Sequence, residues 1–219
     1  MTSRVLVGVL SIALLAALGW AVLSLPLRPT GLTGASLARL PESGVTNPVT
    51  AVLLTYRGYD TLLDIGVLLL AIIAVWSLRR GEWPVRHLHD RPLLMSLLRV
   101  VLPVLVLAAG YLLWIGAFAP GGAFQGGALL GGAIVLVMLG GLARRVLAFD
   151  RLLRAGLVLG VIVFAAVCAV TMLLTGGLLQ YPPGTGGTWI LVIESAALVS
   201  IGLTLGLLYF GGRPHEHDA

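Results

Sequence analysis

The chain has 219 residues, of which 58% are hydrophobic and 11% charged, and its mean hydropathy is +1.04. A water-soluble domain carries roughly 25% charged residues, so the composition excludes one and places the chain in the membrane class. Its formal charge of +5 comes from 14 basic residues, all arginine, scattered between apolar runs rather than arrayed as a stripe. That scatter excludes nucleic acid as a partner and leaves the lipid bilayer and other membrane proteins.

Lipid offers the backbone no hydrogen-bond partner outside its own segment, so long apolar runs must be helices. These runs are also too long for the short alternating strands of a membrane barrel. About 20 apolar residues cross a bilayer core of about 30 Å. Six stretches qualify: 4–25, 59–78, 93–117, 123–143, 155–176 and 188–210. The fold expected is therefore all-α, a polytopic membrane protein of about six transmembrane helices. The first stretch is longer than a secretory h-region, and no small-x-small cleavage site follows it. It is read as a retained span.

The second stretch is preceded by a charged approach, "NPVTAVLLTYRGYDTLLDIG". Asn47 suits an N-cap and Pro48 a first helical position. A straight helix from there to Leu78 would run about 46 Å at 1.5 Å per residue, too long for the bilayer. A break near Gly58 is expected, with a short interfacial helix over 48–57 before the span. Arg57, Asp60 and Asp64 fall at i, i+3 and i+7 and share one helical face. An ionisable side chain inside hydrocarbon costs at least a few kcal/mol, so that face is expected to avoid lipid.

The fourth stretch, "APGGAFQGGALLGGAIVLVMLGG", opens with a Pro120-Gly121-Gly122 turn. It then sets Gly122 and Gly126, and Gly127 and Gly131, four residues apart, with Ala128 and Gly132 continuing the small ridges. Such spacing lets helix backbones approach closely in lipid. Gln125 is the one strongly polar side chain here and is expected to hydrogen-bond a neighbouring helix or line a wet path. In the fifth stretch the single cysteine, Cys168, excludes an internal disulfide and reads as a small buried hydrophobe. The sixth carries Glu194 about six residues in, close to the depth of Asp64 in the second. Carboxylates at matching depth in two helices read as candidates for handling protons or cations. The alternative is structural pairing with Arg57 or capping of backbone groups.

Orientation follows from arginine in short loops. Loop 79–92 holds Arg79, Arg80, Arg86 and Arg91; loop 144–154 holds Arg144, Arg145, Arg151 and Arg154. The opposite loops carry Arg28 and Arg39 alone. Both termini are expected inside, with residues 211–219 a disordered cytoplasmic tail; its two histidines could bind a stray metal, but a solvated end is the reading favoured.

Two motifs carry a family resemblance. Tyr56, Arg57, Tyr59, Asp60 and Thr61 resemble the last membrane helices of the A subunit of multisubunit Mrp-type cation/proton antiporters, a module that recurs as the E subunit of membrane-bound hydrogenases. Asp64 stands where that pattern has a glutamate. Pro120 to Ala128 resembles the glycine-rich turn and helix of the antiporter B subunit, and Glu194 takes the place of its last-helix acid. Gly116-Ala117-Phe118-Ala119 departs from that subunit's histidine-bearing stretch. The resemblance implies an E-type module over 1–91 fused to a B-type module over 92–210. It also implies a membrane subunit of a sodium/proton antiporter in the cell inner membrane, with Asp64, Glu194, Asp60, Arg57 and Gln125 on the ion path. Other membrane subunits are the partners expected, and no cofactor. The alternative is a scaffold and ion-path subunit of a membrane-bound hydrogenase or related redox complex. No paired intramembrane histidines or CxxC motif occur, so redox chemistry would lie in partner subunits.

Overall fold

A computed structural model describes residues 2–25, 31–78, 92–142 and 150–211. Most of both arginine-rich loops and the tail beyond Gly211 therefore lie outside the described residues. The chain divides into two compact units, Met1–Ala35 and Ser36–Ala219. The first contains α1 (Thr2–Leu23) and leads into the short α2 (Thr33–Ala38). The second contains a short α3 (Pro48–Ala51), then α4 (Gly58–Leu78), α5 (Pro92–Ile115), α6 (Ala123–Val137), α7 (Asp150–Thr175) and α8 (Gly186–Phe210). Among the described residues there is no strand, and six helices are long and apolar enough to cross a membrane.

The approach to α4 breaks as its length requires. Asn47 caps α3, its side chain accepting from the Val49 N–H, with Pro48 in the first turn. The helix then widens into a π-turn over Val52–Tyr56 and stops at Arg57, whose backbone (φ −127, ψ 29) is not helical. Widening leaves carbonyls without their helical donors, and side chains supply them. The Thr61 hydroxyl donates to the Leu53 carbonyl at 2.6 Å, and the Tyr181 phenol to the Leu54 carbonyl at 2.7 Å.

The segment before α4 is stitched across the ends of two other helices. The backbone N–H groups of Thr46 and Asn47 donate to the Ala117 carbonyl. The Asn47 amide donates to the carbonyls of Gly116 and Ala119, and Thr50 Oγ1 donates to Gly116 at 2.6 Å. Ser43 and Gly44 lie directly on Gly186 and Gly187 at the start of α8: a Cβ on Gly44 would stand 2.7 Å from the Gly187 nitrogen.

α8 is the hub of this unit, the most buried of its spans. It presents small residues to both neighbours. A Cβ on Gly127 of α6 would meet Ile201 at 2.8 Å, and one on Gly131 would meet Leu205 at 3.0 Å. Reciprocally, Gly202 of α8 receives Leu130, and Gly206 receives Ile134. Gly126 faces the Ala109 carbonyl of α5 as well as Leu198. On the other side Gly160 of α7 meets Ser200, whose hydroxyl donates to the Leu157 carbonyl at 2.6 Å. Ala128 and Gly132, which continue the small-residue pattern, are exposed, and nothing among the described residues lies within 4 Å of a Cβ at Gly132. Cys168 is buried in the main apolar cluster with Phe164 and Ile193, as a small hydrophobe.

Candidate functional site

Glu194 is 6% exposed and sits eight residues into α8, about 12 Å along it. Its Oε1 accepts one long hydrogen bond, 3.4 Å from the Ala123 N–H, at the first turn of α6. Helix N-termini carry unsatisfied N–H groups and partial positive charge, which favours a carboxylate. The chain is shaped to admit it. Gly122, the residue before α6, has φ 112 and ψ −171, a conformation open to glycine. A Cβ at that position would stand 2.6 Å from Glu194 Oε1. The Pro-Gly-Gly turn thus clears the room that the carboxylate fills.

Tyr181 borders this site from the loop between α7 and α8. Burial pushes its phenol well above the ordinary tyrosine value, and the neighbouring Cys168 and Glu194 add to the effect. Its hydroxyl is the donor that reaches Leu54, so one side chain spans from the Glu194 neighbourhood to the broken helix before α4. Leu179, in the same loop, is held in the left-handed region at φ 54 by the Thr171 hydroxyl, which accepts from its N–H at 3.1 Å. There it packs in van der Waals contact onto Gly58, the first residue of α4.

The other acids lie differently. Arg57 and Asp60 form an exposed ion pair. Asp64, about 9 Å along α4, is exposed and makes no hydrogen bond or ion pair among the described residues. Arg57 therefore neutralises Asp60, and Asp64 is left on the outer face of the chain beside Tyr59, Leu63 and Val67. Gln125 is likewise exposed and makes no hydrogen bond among the described residues. The structure places Glu194, Gly122 and Ala123 together, and sets Asp64, Asp60 and Arg57 apart on a surface of α4.

Sequence reasoning missed one participant, Tyr181, and one charge within a span, Arg99. Tyr181 stands in a Gln-Tyr-Pro-Pro loop, where an aromatic followed by two prolines signals a fixed position rather than a spacer. Arg99 was passed over although it lies inside α5, where it is exposed. A charge seven residues from the start of a span was signal enough.

Two family models match the sequence. One, a domain related to the MnhB subunit of Na+/H+ antiporter, matches residues 93–211; the other, the E subunit of MBH, matches residues 2–93. Among solved structures, a chain of the membrane-bound sulfane sulfur reductase (MBS), an archaeal respiratory membrane complex, is similar with a TM-score of 0.69. The identity is 22%, over 96% of this chain and 98% of that one. A chain of the Mrp complex from Dietzia sp. DQ12-45-1b is similar with a TM-score of 0.63 and 24% identity, over 100% of this chain and 27% of that one. At these identities the likeness is one of fold. No protein of curated function matches the chain.

Proposed function

Since the chain belongs to the family of domains related to the MnhB subunit of Na+/H+ antiporters, we propose that it is a membrane subunit of a multisubunit monovalent cation/proton antiporter. Residues 1–91 act as an E-type module and 92–210 as a B-type module, matching the family models that meet at residue 93. The chain performs no covalent chemistry of its own. Its part is to help form the ion path and to hold neighbouring subunits.

The observation that carries this reading is Glu194: a carboxylate buried within a span, with one long backbone hydrogen bond and no counter-ion among the described residues. A structural acid would be fully bonded, because a buried charge left short of partners destabilises the fold. An acid that takes up and releases a cation or proton has to keep open coordination. Asp64 adds a second such group. Its face within the membrane is uncovered among the described residues, and partner subunits are what would cover it.

A second reading is favoured by the match to the E subunit of MBH and by the fold shared with a respiratory complex. In it the chain is the scaffold and ion-path subunit of a redox complex. Nickel and iron analysis of the purified assembly separates the two, since an antiporter contains neither. Ion handling itself is tested with Glu194→Gln and Asp64→Asn, assayed for assembly and for cation-driven proton flux in vesicles. Assembled complexes with flux lowered at least tenfold are expected; full flux in both variants would overturn the reading.

A further inference from the structure

At the opposite end of the bundle from Glu194, the last turns of α4 and the first turns of α7 enclose a groove of roughly 310 Å³. Ile73, Leu157 and Val158 form its apolar wall, and Trp76, Ser77 and Arg154 line it at the helix ends. We propose that this groove binds one anionic phospholipid, its acyl chain along the aliphatic wall and its phosphate at Arg154.

Three features select that occupant. The first is level. Ser77 is one residue from the end of α4, and Arg154 four residues from the start of α7. Both stand where a span meets the headgroups, and tryptophan is enriched at that boundary. The second is charge. Arg154 lines the groove and Arg151 is exposed one turn before it. Basic pockets between helices on the arginine-rich side of a membrane favour anionic headgroups.

The third is the texture of the wall. Where helices of this chain pack closely, glycine meets the partner, as at Gly127 with Ile201 and Gly202 with Leu130. The groove's lining holds no glycine or alanine and one small residue, Ser77, so it offers no row of small residues for a helix backbone to approach. A flexible acyl chain needs none. The Trp76 indole N–H is buried and has no acceptor among the described residues.

The test is a lipid titration of the intact, delipidated complex in mild detergent. Dioleoyl phosphatidylglycerol is compared with dioleoyl phosphatidylcholine, and bound lipid is counted by native mass spectrometry. One phosphatidylglycerol per copy of this chain is expected to be held more tightly than phosphatidylcholine. Arg154→Gln should weaken that binding about fivefold, the value of one arginine beside anionic lipid, and leave phosphatidylcholine unchanged. Val158→Trp, which fills the groove, should remove one bound phosphatidylglycerol per copy. Unchanged phosphatidylglycerol binding in Arg154→Gln overturns the proposal. So does an efficient cross-link from Val158→Cys to another subunit, because a partner helix then occupies the groove. Neither readout depends on ion flux, so failure here leaves the transport reading standing.

Discussion

The Glu194 carboxylate occupies the space that a side chain at residue 122 would need, with Oε1 placed 2.6 Å from where a Cβ on Gly122 would project. The two residues lie 72 positions apart, Gly122 at the cap of α6 and Glu194 within α8. Glycine is required at 122 by its φ of 112 and again by its neighbour.

Gly122→Ala should therefore be destabilising on two counts. Backbone strain in this region costs of order 1–3 kcal/mol, and the methyl must also displace the carboxylate from the Ala123 N–H. Thermal unfolding of the purified complex measures the sum. Pairing with Glu194→Ala should recover the steric part and leave the strain. Equal losses with and without Glu194 would mean that the two residues do not compete for space.

Close approach of α6 and α8 gives a second expectation. Gly127→Leu would drive a branched side chain into Ile201, whose Cγ2 already stands 2.8 Å from the Cβ position. Overpacking of this kind costs about 1–3 kcal/mol or more, and assembly yield should fall. Gly132→Leu, at a position with nothing within 4 Å, should leave this chain's fold intact. A complex that also tolerates Gly132→Leu has no tight partner contact on that face.

The number of spans was legible because each needs about 20 apolar residues, and the break before α4 because length and the Asn47-Pro48 start contradict one straight helix. Distance along a helix is residue count times rise, which puts Asp64 about 9 Å into α4 and Glu194 about 12 Å into α8. What could not be read was azimuth. In water a helix shows its buried face by contrast with a polar one, but lipid is as apolar as the core and erases the contrast. Nothing in the sequence therefore distinguished Glu194, turned inward against α6, from Asp64, turned out of the chain. The glycines marked α6 as a packing helix, and α8 carries the same four-residue spacing at Gly202 and Gly206, so its partner was legible in the sequence as well. The π-turn at 52–56 and the left-handed Leu179 were also silent, since each is imposed by tertiary partners, Tyr181 and Thr171, from more than one place in the chain.

Orientation gives a third expectation. Arginine-rich loops face the cytoplasm, which sets the 176–185 loop outside. In a Cys168→Ala background, a cysteine at the exposed Pro183 should react with an impermeant reagent applied to whole cells. One at Arg151, exposed at the start of α7, should react only after permeabilisation. Gly186 would be a poor reporter, because its Cβ position stands 2.5 Å from the Ser43 carbonyl. The reverse pattern would place Glu194 near the inner surface and invert the path.

The last expectation concerns Tyr181, which ties the loop after α7 to the Leu54 carbonyl of the π-turn. Tyr181→Phe deletes the hydroxyl and leaves a carbonyl without its donor in a partly buried site, which costs about 1–3 kcal/mol. The effect should also carry a pH signature. Burial raises the folded-state pKa of this phenol above its unfolded value near 10. A group with a raised folded pKa binds its proton more tightly when folded. Its stabilisation is then fully present below pH 10 and declines as pH climbs through 10 toward the folded value. Melting temperatures of the wild-type complex should fall more steeply between pH 9.5 and 11 than those of Tyr181→Phe. Parallel curves would show that the phenol ionises as freely in the fold as outside it. Because Tyr181 joins the Glu194 neighbourhood to the π-turn before α4, Tyr181→Phe should also slow cation-driven proton flux at neutral pH. Flux equal to wild type, with stability reduced as expected, would limit Tyr181 to holding the loop in place.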